Sequence, residues 1–456
     1  MNDSNKDSAI PDQAAPFVCA SSIWQRVTIA IKARRENAFF RHVVVLMSGS
    51  AIAQILPILI SPLLSRIFSP EDIGVWGIYS AVVSIGALFV TLRYDSAILL
   101  PDEDSDAANI ALFGLAISFI FSVIFFALLA LGNHSLLLDF MGIPAVIPVW
   151  QYIPIGIFLA AAISIFSNWF IRTIRFSSLA FSRIVQSAST AIIQIGASVL
   201  KADAMALVAG QVMGLVLGIA SFAVNIWRKD RHNKIDISLS RMKSAIIRYY
   251  RFPLFSLPAG LLNSFGAYLP LFMLGSVFSP VIAGYFALTQ KVLAAPVALI
   301  GNNILDVFRE RATTDYRDTG NCRAIFVKTL IALILLATPP SLILFFFAPS
   351  LFDFVFGNDW RESGEYARIL APMLLTRFVA TPLGFVLTIA HKQNIDLFWQ
   401  IGFFIVTFST IYIGAQYQSE KIGIALMSIG ISSMYVVYIW LSYLHARGIT
   451  KKEQTS

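Results

Sequence analysis

Two basic side chains stand inside stretches that are otherwise apolar: Lys291, in the run that begins near Pro280, and Arg377, in the run that begins near Tyr366. Each lies about eleven residues into its run, which at a helical rise of ~1.5 Å per residue places it near the middle of a membrane-spanning helix. A cation there costs roughly 2.5–3.5 kcal/mol on insertion scales, so it is expected to face a wet cavity or a partner. The chemistry on offer is anion binding, with arginine as a planar fork suited to phosphate and lysine as a point charge. The structural alternative ties each cation to carbonyls or to a carboxylate between helices, yet no carboxylate lies mid-run nearby.

Other polar groups could join them. Gln54, Asn263 and Gln290 fall within apolar runs, as do Asn168, Gln186, Gln194, Gln211, Asn302 and Asn303. Any one of them is by default an interhelical hydrogen-bonding residue, and as a set they could line a cavity. Arg66, Arg93 and Asp95 stand at run ends. Because Ala97 to Leu100 follow, the second helix is expected to continue through Arg93 and Asp95. A gating ion pair or a proton-coupling carboxylate is one reading of these three, and interfacial anchoring with helix capping is the commoner one. Arg172, Arg175 and Arg183 cluster beyond them, where the usual charge bias of membrane proteins already explains them.

Several motifs suggest chemistry and fail on context. Asp102-Glu103-Asp104 has the spacing of a metal and sugar-nucleotide motif, but it sits in a short acidic loop where such residues cap the next helix. The five histidines are unpaired and near run ends, so no zinc site or Ser-His-Asp arrangement is suggested, and no metal is expected. No GxxxxGK[ST] phosphate loop occurs, which argues against ATP hydrolysis by this chain. Cys19 and Cys322 are too few for a disulfide framework.

The elements that must hold these residues follow from composition. Of 456 residues, 57% are hydrophobic and only 13% charged, with a mean hydropathy of +0.73. A soluble chain would carry about 25% charge. A soluble enzyme, a nucleic-acid reader and a disordered scaffold are excluded, and an all-α integral membrane protein is expected. About twelve runs are long enough to cross a hydrocarbon core of ~30 Å. They begin near Val43, Asp72, Ala107, Val149, Leu179 and Ala204, then near Phe252, Pro280, Ile325, Tyr366, Ile395 and Lys421. Most of the 34 Lys and Arg gather on one side of these runs, leaving Arg66, Lys201, Arg361, Arg368 and Lys421 on the other. The positive-inside rule then sets both termini in the cytoplasm. The longest outer loops are expected at Gly132 to Pro148 and Ala348 to Glu365. No signal peptide is visible: the first 40 residues are polar, and Ile23 to Phe40 has the spacing of a basic amphipathic helix on an anionic leaflet.

The chain also repeats. Phe68-Ser69-Pro70 followed by Gly74 recurs at a constant offset as Phe278-Ser279-Pro280 followed by Gly284. In both places the motif ends a proline-interrupted run (Pro57 and Pro62; Pro253, Pro258 and Pro270) and starts the next. Two six-helix lobes in parallel orientation around a central cavity are expected, a known transporter plan. The expected divisions are a partly amphipathic cytoplasmic tail at 1–41, one lobe at 42–228, a basic cytoplasmic linker at 229–251, a second lobe at 252–447 and a tail at 448–456.

At these residues the sequence resembles the oligosaccharide-lipid flippases of bacterial polysaccharide synthesis, the Wzx type within the multidrug/oligosaccharidyl-lipid/polysaccharide exporter superfamily. Ser48-Gly49-Ser50 with Gln54 and Pro57 is similar to that family's first span, and the stretch from Ser65 through Pro70 to Gly74 to its first outer turn. Arg93-Tyr94-Asp95-Ser96-Ala97-Ile98-Leu99-Leu100-Pro101 resembles its second-span exit, where Glu is more usual than Ser96. Gly210-Gln211, Gly214 and Gly218 resemble the sixth span; Phe252-Pro253, Gly284-Tyr285, Lys291, Pro296 and Phe308 resemble the seventh and eighth, with Arg common where Lys291 stands. The resemblance implies a bundle of 12 to 14 helices in the bacterial inner membrane, alternating between cytoplasmic and periplasmic access. It implies an oligosaccharide on an undecaprenyl diphosphate carrier as substrate, for O-antigen, capsule or exopolysaccharide synthesis, with no cofactor. Lys291 and Arg377 would then hold the diphosphate or an acidic sugar. Membrane lipids are the other expected partners, a polysaccharide polymerase and a chain-length regulator are open as further ones, and no nucleic acid is expected. The rival readings are an ion-coupled drug or metabolite antiporter of the same superfamily, which would more often place a carboxylate in the cavity, and a membrane polymerase or ligase, which would need a larger outer loop.

Overall fold

A computed structural model describes residues 53–230, 236–296, 302–390 and 392–447. The expected amphipathic segment at Ile23 to Phe40, both tails and Cys19 lie outside the described residues, as do the side chains of Asn302 and Asn303. Every element among the described residues is helical. The principal helices are α1 (Ala53–Ile67), α2 (Pro70–Val90), α3 (Asp104–Leu131), α4 (Tyr152–Arg172), α5 (Phe176–Ser198) and α6 (Ala204–Asp230). They continue with α7 (Leu257–Val277), α8 (Pro280–Pro296), α9 (Arg323–Phe356), α10 (Arg361–Leu383), α11 (Gln393–Gln416) and α12 (Glu420–Ala446). Among the described residues nine helices are long and apolar enough to cross a membrane. The remaining three are α1, whose expected start near Val43 is not described, the 17-residue α8, and α5, whose sequence carries Arg183, Gln186 and Gln194.

The repeated Phe-Ser-Pro motif is a helix start. Ser69 caps α2 in a capping box with Asp72, and Pro70 takes the first helical position, where its missing N–H costs nothing. In the second copy the Ile282 N–H donates to Ser279 Oγ at 3.3 Å, one position before Pro280 opens α8. The two copies meet. A methyl group on Gly74 would overlap the Pro280 carbonyl oxygen, and one on Gly284 would overlap that of Pro70, so α2 and α8 touch backbone to backbone. Elsewhere α3, α4, α5 and α6 pack among themselves and with α2, while α9, α10, α11 and α12 pack among themselves and with α7 or α8. The α2–α8 seam joins these two groups.

The same end of the seam carries a second clasp. Ser65 Oγ donates to the Phe356 carbonyl at 3.0 Å, the fully buried Trp360 donates its indole N–H to the Ser65 carbonyl at 2.7 Å, and Arg66 donates to the Phe354 carbonyl at 3.3 Å.

Two expectations about local structure are corrected. α2 does not run on through Arg93: it ends at Val90, Leu92 and Arg93 take positive φ of 49° and 64°, and a separate turn of helix spans Tyr94–Ala97. Burial of Tyr94 and Ala97, with the hydrogen bond that Ser164 donates to Asp95, offsets the strain of that reversal. The outer loop expected from Ala348 to Glu365 is almost wholly helical, because α9 extends to Phe356 through three prolines and α10 begins at Arg361. The segment after 235 is bound structure: the Ser238 N–H donates to Asn109 Oδ1, Asn109 Nδ2 donates to the Asp236 carbonyl, and the helix Leu239–Arg248 lies against α3.

Candidate functional site

Lys291 projects from α8 into a cavity of about 440 Å³ bounded by α1, α2, α5 and α6. Its ammonium stands 5.3 Å from the centroid of the Trp76 ring, a cation–π contact. Trp76 is itself held: its indole N–H donates to Gln211 Oε1, which also accepts from Ser80 Oγ at 2.8 Å. Gln54, Arg183, Gln186 and Thr190 complete the polar wall. Gln194 reaches this wall too, but its amide is spent on the Leu207 carbonyl at 2.9 Å, which bonds α5 to α6. Among the described residues no carboxylate pairs with Lys291.

Arg377 lines a different cavity, of about 310 Å³, between α7, α8, α10, α11 and α12. Asn263, Gln290 and Gln400 supply amides there, and Tyr268, Trp399, Phe403 and Tyr435 supply rings. Trp399 packs against Phe403, Tyr435 and Tyr438 at centroid distances of 5.4, 5.2 and 5.2 Å. Arg377 is exposed to this space, and no ion pair engages it among the described residues. A third cavity, of about 380 Å³, adjoins both, sharing Trp76, Ser80 and Lys291 with the first and Tyr268 and Gln290 with the second. The expected cavity residues therefore divide: Gln54 and Lys291 on one side, Asn263 and Arg377 on the other, with Gln290 between.

The expected gating residues stand apart from these cavities. Arg66 belongs to the clasp with Phe354. Asp95 is buried and accepts from Ser164 Oγ at 2.7 Å and from Thr91 Oγ1 at 3.4 Å. No ion pair joins it to Arg93 among the described residues; Arg93 instead lies against Gly260 of α7, its Nε buried without a partner there. The Asp102-Glu103-Asp104 stretch is a fastening point. Arg172 donates to Asp104 at 3.0 Å and to the carbonyls of Ile98, Pro101 and Asp102, while Arg241 of the Leu239–Arg248 helix pairs with Glu103, Asp106 and Asp236.

Sequence reasoning missed Trp399 and Gln400. Gln400 obeys the rule that singled out Gln290, a polar side chain inside an apolar run, and was legible on that ground. Trp399 carries no signal of its own in the sequence, and only the packing of α7 against α11 brings it to the cavity.

Known proteins share this fold. Over 89–90% of this chain and 94–96% of theirs, inward- and outward-facing structures of a multidrug resistance MATE family transporter superpose with TM-scores of 0.59 at 15% and 14% identity. A MOP superfamily transporter from Pyrococcus furiosus superposes with a TM-score of 0.56 at 15% identity over 89% of this chain and 94% of its own. These likenesses show the fold. In sequence, the chain is 23% identical over 185 residues to the teichuronic acid biosynthesis protein TuaB of Bacillus subtilis (strain 168), which covers 41% of this chain and 37% of that protein. The profile of the family described as polysaccharide biosynthesis protein matches residues 63–365, more than half the chain. The chain is thus a multi-pass membrane protein with the fold of the MATE transporters, and it belongs to the polysaccharide biosynthesis protein family.

Proposed function

We propose that this protein moves an undecaprenyl-diphosphate-linked oligosaccharide repeat unit across the bacterial inner membrane by alternating access. The glycan and diphosphate cross inside the adjoining cavities while the polyprenyl tail stays in lipid. The observation that carries this reading is Lys291: a cation on a mid-bundle helix, facing a cavity that Gln54, Gln186, Thr190 and Gln211 also line, with an aromatic ring beneath it and no carboxylate beside it among the described residues. Such a site is matched to an anion. Membership of a polysaccharide biosynthesis family supports a glycan-bearing one, and the printed name of the Bacillus relative, a teichuronic acid biosynthesis protein, points the same way. In this reading 42–228 and 252–447 act as two rocking lobes, with the clasp of Ser65, Phe356 and Trp360 on the periplasmic side.

The drug-antiporter alternative draws on the structural neighbours. A cation-exporting cavity calls for a carboxylate in its wall, and the described linings of all three cavities contain none. Deletion in a host that makes a surface polymer tests the proposal: carrier-linked repeat unit should accumulate, and re-expression should clear it. Unchanged carrier pools on deletion would refute it. Topology is tested separately with Lys243→Cys in a background lacking Cys19 and Cys322. The site is exposed and is expected on the cytoplasmic side, so labelling by an impermeant reagent in intact cells would contradict that orientation.

A further inference from the structure

We infer that the cavity around Arg377 is a subsite for a sugar residue bearing a carboxylate, distinct from the Lys291 cavity, which takes the carrier diphosphate. This assignment rests on the reading of the substrate as a lipid-linked oligosaccharide.

The two cavities differ in kind. The Lys291 cavity is lined by two cationic side chains, Lys291 and Arg183, with amides around them and Trp76 as its main ring. Lys291 there is a compact point charge with three donors, which suits a phosphate. The Arg377 cavity has one cation, three amides and four aromatic rings. A pyranose offers apolar C–H faces to rings and hydroxyls to amides, and a single ring carboxylate matches one guanidinium fork in a planar, two-bond contact. A diphosphate would leave the rings unused and one of its charges unmatched.

Helix geometry separates the two. Gln290 and Lys291 are neighbours on α8, and successive helical residues point about 100° apart. Gln290 accordingly lines the Arg377 cavity and Lys291 the other, while both reach the space between. One ligand can therefore span α8, headgroup on one side and sugar on the other. Trp399 lines the sugar cavity with its ring, packed against Phe403, Tyr435 and Tyr438.

The test uses purified protein in nanodiscs and three probes: methyl glucuronide, methyl glucoside and farnesyl diphosphate. The two glycosides share a ring and differ in carboxylate against hydroxymethyl. Wild type is expected to prefer the glucuronide by roughly tenfold or more, the usual weight of a charged hydrogen-bonded contact. Arg377→Gln should abolish that preference and leave farnesyl diphosphate binding intact. Lys291→Gln should do the reverse, and Trp399→Ala, which removes a stacking ring, should weaken both glycosides. Arg377→Lys, which keeps the charge and loses the fork, should retain part of the preference, so the outcome does not hang on one variant's folding. A wild-type protein without glucuronide preference, or an Arg377→Gln variant that keeps it, overturns the subsite. If farnesyl diphosphate fails to bind wild type while the Arg377-dependent preference persists, the subsite stands and the diphosphate-carrier reading falls.

Discussion

Gly74 and Gly284, matching positions of a repeated sequence motif, lie against each other's helix starts: each leaves room for the carbonyl oxygen of the proline that opens the other helix. The contact is reciprocal, so the repeat builds an approximately two-fold seam from its own two copies.

A side chain at either position must displace backbone. Gly74→Ala and Gly284→Ala are each expected to destabilise the detergent-solubilised protein by about 1–3 kcal/mol, the cost of overpacking a close contact. Gly196→Ala, on α5 with nothing near its added methyl, should be neutral or slightly stabilising. Melting temperatures of the three variants decide it; equal shifts for Gly74 and Gly196 would remove the seam from the account.

The buried carboxylate of Asp95 depends on Ser164. Removing that hydroxyl in Ser164→Ala should cost about 1–3 kcal/mol, because a buried acceptor loses its shortest donor inside the fold. Asp95→Asn should suffer less in stability, since its amide oxygen can still accept from Ser164 while its NH2 faces Thr91 Oγ1 as a donor. Chemical denaturation of both variants checks the order.

Arg172 and Arg241 both touch the acidic stretch at 102–106, yet their exposures separate them. Arg172 is 10% exposed and satisfies three backbone carbonyls besides Asp104, so Arg172→Ala should cost about 1–3 kcal/mol. The Arg241 side chain is 41% exposed and its ion pairs are screened by water, so Arg241→Ala should cost clearly less than Arg172→Ala. Comparable losses from the two would contradict this.

Cys322 is buried, and burial, with a smaller effect from Asp315, pushes its thiol up to about 11. Only the thiolate reacts with maleimide, so the thiolate fraction and the labelling rate should rise about tenfold per pH unit until that value is approached. At neutral pH the folded protein should label far more slowly than the denatured chain. In a Cys19→Ser background, fast labelling of folded protein at pH 7 would show the Cys322 site to be open.

Much of this was legible from local rules. Helix starts at Ser69-Pro70 and Ser279-Pro280 follow from capping chemistry, and Lys291 stands out because a cation in an apolar run must find water or a partner. What stayed hidden depends on direction rather than residue type. Hydropathy places Lys291 and Arg377 at the same depth but carries no information on the helix face each occupies, so their division between two cavities appears only once α8 and α10 are packed. The break at Leu92 and Arg93 was invisible for a related reason. Neither residue favours positive φ, and tertiary contacts of Tyr94 and Asp95 impose it. Likewise the acidic residues at 102–106 read as a loop until their partners, Arg172 and Arg241, arrive from distant sequence.

The central claim is that Lys291 and Arg377 hold an anionic, carrier-linked glycan during its passage. Its most direct measurement is the amount of carrier-linked repeat unit and of finished polymer in cells carrying Lys291→Ala with Arg377→Ala, at membrane abundance equal to wild type. The account predicts that polymer is lost while carrier-linked unit accumulates. Normal polymer from the double variant, expressed no higher than wild type, would contradict it.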